Sequence, residues 1–379
     1  MKITVLGWYG TETIGDRAIL AGLLHLFSEA SHDDMILHLG SLCPVLSHRT
    51  WLEDNEFYVE ITNGRLKDCN VFYSLNANEL KNEIKDSDWV VMGGGPLIDI
   101  DSLYMLLYAF KNAKKRGIRT SLFGCGWETL SKPDKIECVK KIVELSDLTI
   151  FRDSNSAKRA YSFINNIVNE QPLGLLDPAF FAAQYFRTMR KDVIEETYAA
   201  VNFRHLFVAE KPSSGQFSFE ECLSLLRNLA SLQEDLKIRL IPMHTFFKGG
   251  DDRVILNRLC MALNNPRVAV QNVPLSLEDT MSVYRNAQLC VGMRFHSIVL
   301  QTVLNGKNYI LDYTDPNKGK IYNMLNELQI YSKLKGRYLH PGMGGTFEFD
   351  KNPEAITPSD HFLNEYKEKY VQSIKVLLK

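Results

Sequence analysis

Apolar positions along the chain recur in two alternating rhythms. Short, nearly unbroken apolar runs predict strands at residues 2–6, 35–39, 88–92, 119–123 and 147–151, and again at 198–203, 238–242, 268–271, 288–291 and 309–311. Between them lie helical patterns at residues 16–29, 220–233, 251–263 and 277–286, with others opening at Ser154 and after His296. Leu103, Leu106, Leu107 and Phe110 form an i, i+3, i+4, i+7 stripe. Strands separated by helices of this length imply βαβ units on a parallel sheet. The rhythm lapses over 171–195 and then restarts. The expectation is an α/β protein of two doubly wound, Rossmann-like domains facing a cleft. They cover 1–185 and 196–358, and a last helix at 359–379 packs back on the first. Residues 335–357 read as loop, with no role assigned.

Composition narrows the functional classes. The chain has 379 residues, 45% hydrophobic and 23% charged, as ordinary globular proteins do. Its formal net charge of −1 gives no general attraction to nucleic acid, so any anion site must be a local basic cluster. Seven cysteines, an odd number with no C-x-x-C pair, suit a reducing compartment and provide no zinc site. The opening MKITVLGWYG is too short an apolar run for a signal peptide, and no window approaches the ~18 apolar residues of a spanning helix. The expected location is cytoplasmic, with membrane association at most peripheral.

Candidate chemistry collects at strand ends, where ligands bind in open α/β sheets. The turn GWYGTETIGD joins the first strand to the first helix, with glycines at 7, 10 and 15. It matches neither G-x-G-x-x-G nor a Walker A loop, and no acidic residue follows the second strand, so a nicotinamide cofactor is poorly supported. It suits either an anion at a helix N-terminus or a tight turn with Asp16 as cap. Gly93, Gly94 and Gly95 end a second strand, and Gly124 and Gly126 flank Cys125 at the end of a third. In the second half, Arg204 ends a strand and His205 follows. His244 ends the next, with Lys248, Asp251 and Asp252 beyond, and Arg294 and His296 end a later one. A guanidinium binds carboxylate or phosphate bidentately, so two of them suit a small ligand carrying both anions. His296 falls in the first turn of an apolar helix and is the candidate for proton transfer near neutral pH.

In this order the motifs resemble the polysaccharide pyruvyltransferase family. The likeness runs from GWYGTETIGDRAIL through VVMGGGPLID, RDSNS, the strand end NFR and PMHTFFKGGDD to MRFHSIVLQTVLNGK and DYTDPNKGK, over residues 3–324. The resemblance implies a GT-B-like fold and transfer of a pyruvyl group from phosphoenolpyruvate to a sugar of a polysaccharide or its lipid-linked precursor, forming a cyclic ketal. It implies no metal, no cofactor and no nucleic acid. For a lipid-linked acceptor it implies peripheral contact with the inner face of the membrane. Carried over by position, Arg204, Arg294 and His296 are the catalytic or donor-binding residues. Gly10, Asp16, Gly93, Gly94, Gly95, His244 and Lys318 are the substrate-binding ones. The first domain is the acceptor side and the second the donor side. The chain departs from the family pattern at Thr13, where Asn is usual, at Arg17, where Glu is usual, and at GCGWE over 124–128. Two other functions fit a GT-B-like chain. One is a glycosyltransferase using a nucleotide-sugar, with Asp312 as the ribose contact. The other is a catalytically inactive glycan-binding protein.

Overall fold

A computed structural model describes residues 1–11, 13–128, 130–164, 172–190, 196–204, 217–246, 249–315, 317–341 and 347–379. The first sheet is built from β1 (Lys2–Leu6), β2 (Met35–Ser41), β3 (Leu66–Tyr73), β4 (Trp89–Gly93), β5 (Pro96–Leu97), β6 (Arg119–Trp127), β7 (Leu148–Phe151) and β8 (Leu173–Gly174). Its order is β3-β2-β1-β4-β6-β7-β8, β5 pairing with β6, and every pairing is parallel. The second sheet holds β9 (Glu196–Asn202), β10 (Lys237–Leu240), β11 (Val268–Val270), β12 (Ala287–Gly292), β13 (Asn308–Leu311) and β14 (Tyr338–Leu339). Its order is β11-β10-β9-β12-β13-β14, also parallel throughout. Both sheets are doubly wound and Rossmann-like, as the alternating pattern implies. Strand order reverses between β1 and β4 in one and between β9 and β12 in the other. At such a point the loops leave in opposite directions and open a crevice at the carboxyl ends.

The chain forms two compact units. One comprises residues 1–12, 16–182 and 361–379, the other 13–15 and 183–360. In the first unit the helical stripe Leu103, Leu106 and Phe110 is fully buried with Leu6, Val90, Met92 and Leu122 from the sheet. In the second, Leu226, Leu229 and Leu256 cover Val201, Leu240, Leu289 and Leu311. Each such side chain contributes roughly 1.5–3 kcal/mol by leaving water. Tyr370, from the final helix Asp360–Leu378, is fully buried in the first unit; its hydroxyl donates to the Leu176 carbonyl at 2.9 Å and its ring lies 5.6 Å from Phe181. Among the described residues no helix is long and apolar enough to cross a membrane.

β3 and the helices Pro44–Ile61, Ala77–Lys85 and Pro133–Glu144 are not among the predicted elements, although Leu80 and Ile84, and Cys138, Val139, Ile142 and Val143, bury faces at helical spacing. β3 is an edge strand whose Lys67 and Asp68 are exposed, and polar side chains there discourage pairing with another chain. The first helix spans Ile14–Ala30, so Asp16 lies within its first turn rather than capping it. Among the described residues of 335–357, β14 extends the sheet, and Phe347 and Phe349 meet the Tyr309 ring edge-on with centroids 5.5 and 4.8 Å away.

Candidate functional site

In the second unit the strand reversal is tied together by one amide. Asn202, the last residue of β9, pairs in register with Gly292 at the end of β12 and is fully buried. Its Oδ1 accepts the Arg294 N–H at 3.0 Å, and its Nδ2 donates to the Ile241 carbonyl beyond β10 at 2.9 Å. The Arg204 N–H meets Met293 Sδ at 3.4 Å. Arg204 and Arg294 therefore emerge side by side, two residues past the last register pair of strands that run about 4.8 Å apart.

The two arginines are held differently. Arg294 is gripped by Asp252, whose side chain is fully buried: Nε lies 2.7 and 2.9 Å from the two carboxylate oxygens and Nη2 lies 2.6 Å from Oδ1. Asp252 Oδ2 also accepts the N–H groups of Met243 and His244, both at 3.1 Å, and Arg294 Nη2 reaches the Gly250 carbonyl at 3.2 Å. Burial opposes the Arg294 charge, but Asp252 outweighs it and the guanidinium pKa is raised. Among the described residues, Arg294 Nη1 has no hydrogen-bond partner. Arg204 has no carboxylate on it among those residues; its guanidinium lies over the Tyr313 ring, 4.2 Å from the centroid. The Lys320 ammonium, at the start of helix Lys320–Glu327, stands 5.8 Å from the same ring and 5.9 Å from Phe295.

His296 occupies the second position of helix Phe295–Leu304, with Arg294 as N-cap. Its imidazole lies against the backbone of Gly15, where an added Cβ would fall 2.1 Å from Nδ1. Gly15 and its neighbours are anchored here, because the Ile14 N–H donates to the Met243 carbonyl at 3.1 Å and Thr13 forms a bridge with His244. Thr13 Oγ1 and His244 Nδ1 are 2.6 Å apart, and His244 is 6% exposed. The second unit thus brings Arg204, His244, Arg294 and His296 to adjoining strand ends. It adds Thr13, Gly15, Asn202, Asp252, Tyr313 and Lys320, which sequence reasoning did not assign to the site. All six lie in stretches singled out in the sequence: Thr13 and Gly15 in GWYGTETIGD, Asn202 in NFR, Asp252 beside Asp251 after PMH, and Tyr313 and Lys320 in DYTDPNKGK. Lys318 is exposed, and Lys320 is the lysine beside the aromatic rings. His205 and Lys248 lie outside the described residues.

The candidate glycines of the first unit each lie against a neighbouring side chain. A Cβ on Gly10 would fall 2.3 Å from Ser41 Oγ, on Gly93 2.6 Å from Leu23, on Gly94 2.4 Å from Ile19 and on Gly95 2.2 Å from Trp8. Gly10, Gly94 and Gly95 also have positive φ. Asp16 is half-buried in this unit. The departures from the family pattern are internally paired. Arg17 is buried with Asp54, its Nη2 2.6 Å from Oδ1. The Arg152 guanidinium lies over Gly126 and pairs with Glu128. In RDSNS, Asp153 accepts the Ser156 N–H at 2.7 Å and its hydroxyl at 2.8 Å, as a helix cap does. Asp312 is fully buried; its oxygens accept the Tyr338 hydroxyl, the Thr314 N–H at 2.7 Å and the Thr314 hydroxyl at 2.5 Å. A carboxylate used in this way is poorly placed to hold a ribose.

A comparison with curated proteins gives no match. Among solved structures, the chain is similar in fold to a candidate UDP-N-acetylglucosamine 2-epimerase from Listeria monocytogenes, at TM-score 0.58 and 14% identity over 100% of this chain and 96% of the other. It is similar also to MnaA from S. aureus, solved with UDP, at TM-score 0.56 and 15% identity over 100% and 96%. At such identities the likeness concerns the fold alone, and the two sheets are GT-B-like. A family model described as polysaccharide pyruvyl transferase matches residues 14–315, from the first turn of the first helix to the loop beyond β13. That span takes in Gly15, Arg204, His244, Asp252, Arg294, His296 and Tyr313, and the chain belongs to the polysaccharide pyruvyl transferase family.

Proposed function

We propose that the protein transfers a pyruvyl group from phosphoenolpyruvate to a sugar of a polysaccharide or of its lipid-linked precursor, forming a pyruvate ketal. The observation that carries this reading is the emergence of Arg204 and of the Arg294–His296 pair from adjacent strands at one reversal point, in a chain of this family. Phosphoenolpyruvate carries a carboxylate and a phosphate on the same carbon of a small enol. Arg204 supplies the charge that holds it; Arg294, offset by Asp252, contributes directed N–H groups from Nη1 more than net charge. His296 transfers the proton. Protonation of the methylene carbon makes it a methyl group and leaves the neighbouring carbon electrophilic. One sugar hydroxyl adds there and loses its proton, inorganic phosphate departs, and a second hydroxyl of the same sugar closes the ketal. Of the two hydroxyl protons, one replaces that taken up by the methyl group and the other leaves with phosphate. General acid–base catalysis of this type is worth ~10²–10⁴ in rate. In this reading the acceptor falls to the first unit, and a lipid-linked acceptor brings the protein to the membrane surface.

The test is phosphate release from phosphoenolpyruvate with candidate acceptors, comparing wild type with Arg204→Ala and His296→Ala. Loss of turnover in both supports the assignment; near-normal turnover in both removes it. Phosphoenolpyruvate binding without release in the wild type, across the acceptors, would favour a glycan-binding role. The nucleotide-sugar alternative loses its ribose contact, since Asp312 is already committed to Tyr338 and Thr314.

A further inference from the structure

Tyr313 follows β13 in a turn that the protein fixes on both sides. The Asp312 N–H donates to the Leu339 carbonyl at 2.8 Å, and the Asp312 carboxylate accepts from Tyr338 and from both donors of Thr314. The ring between these anchored residues has little freedom to turn. It lies 4.2 Å from the Arg204 guanidinium and 5.8 Å from the Lys320 ammonium, both within the ~6 Å over which a cation is drawn to an aromatic face. Tyr313 is also close enough to Arg294 to act on its charge. One aromatic side chain therefore adjoins two cations of this strand edge, Arg204 and Lys320.

We infer that Tyr313 is a positioning residue of the anion site, a rigid aromatic platform that orients the Arg204 guanidinium. A guanidinium lying over a ring keeps its N–H donors pointing outward around the edge, the geometry in which it takes a carboxylate or phosphate bidentately. Without the platform, Arg204 loses preferred rotamers to a larger set, and each binding event must re-order the side chain. The role belongs to the ring, not the hydroxyl. The identity of the ligand rests on the function proposed above; the platform itself requires only a small anion.

The experiment is calorimetric titration of the full-length protein with phosphoenolpyruvate and, separately, with inorganic phosphate. It compares wild type, Tyr313→Leu, the conservative Tyr313→Phe, Arg204→Ala and the double variant Arg204→Ala with Tyr313→Leu, each checked for folding by its melting transition. The expected result is a loss of about 10-fold in affinity for Leu, recovery to within about 2-fold of wild type for Phe, and no further loss when Leu is added to Arg204→Ala. Wild-type affinity in the Leu variant, equal losses for Leu and Phe, or a full additional loss on the Arg204→Ala background would each overturn the platform. So would a wild type that takes neither anion. A wild type that binds phosphate but not phosphoenolpyruvate overturns the proposed donor, and the phosphate series then decides the role of Tyr313.

Discussion

The two sheets reverse strand order in the same way but finish the reversal with different side chains. In the first unit the loop ends after β1 and β4 are filled from within. Tyr9 lies over Gly93 and donates to its carbonyl at 2.9 Å, Trp8 lies over Gly95 and donates to the Pro96 carbonyl at 3.1 Å, and the nearby buried arginine, Arg17, is closed by Asp54. In the second unit the ends of β9 and β12 carry Arg204, Arg294 and His296, and among the described residues a carboxylate matches Arg294 but not Arg204. Topology thus provides two equivalent crevices, and side-chain chemistry distinguishes them. A glycine-rich strand end identifies a close approach without saying whether a ligand or a tryptophan makes it. A strand-end arginine is informative only when its partner is known.

The largest effects should come from the two buried pairs. Asp252→Ala leaves the half-buried Arg294 without its carboxylate, and Asp54→Ala leaves the buried Arg17 with Glu53, whose Oε2 lies 3.2 Å from Nη2; each should cost up to about 3 kcal/mol in urea unfolding. Only the Asp252 variant should also lose phosphoenolpyruvate affinity in titration. Equal binding losses in both would erase the distinction between the units.

Acid stability should report on the first unit. Burial, reinforced by Lys367, pushes the His25 pKa down to about 4 from 6.5. The unfolded chain therefore binds this proton more readily. The stability involved is complete above pH 6.5 and is lost as pH falls towards 4, by at most about 3 kcal/mol. Unfolding free energies of wild type and His25→Gln across that window should diverge accordingly; parallel curves would mean that His25 is not held neutral.

Two glycine substitutions sharpen the comparison further. Gly15→Ala suits a helix by propensity, yet its methyl carbon would meet His296 Nδ1. Turnover should fall about 100-fold from the displaced imidazole, with the melting temperature little changed. Gly95→Ala acts in the opposite sense. At φ +79°, and against Trp8, it should cost about 1–2 kcal/mol of stability while the surviving folded protein retains donor affinity. A Gly15 variant with normal kinetics would separate His296 from the chemistry.

Much of the fold was legible because buried strands and helices must repeat apolar residues at their own periods. Leu103, Leu106, Leu107 and Phe110 mark a helix in any context, and the strands on either side of Arg204 and Arg294 read as clearly. β3 did not, because a half-exposed edge strand such as LKDCNVFY has no reason to be apolar. The candidate site was legible as residue types at strand ends. It was not legible as partnerships: Asp252 lies 42 positions from Arg294, Tyr313 lies 109 from Arg204, and Gly15 is most of the chain away from His296.

The sequence alone determined the α/β class, the two doubly wound sheets and the arginines and histidines at their carboxyl edges. These follow from local periodicity and from where each strand stops. Tertiary structure decided which side chain each strand-end glycine meets and which arginine, among the described residues, is matched by a carboxylate. It also decided that Asp312 serves a turn rather than a ligand. Each of these depends on distance between residues remote in the chain, and charge compensation and steric exclusion act only across the few ångströms that folding creates.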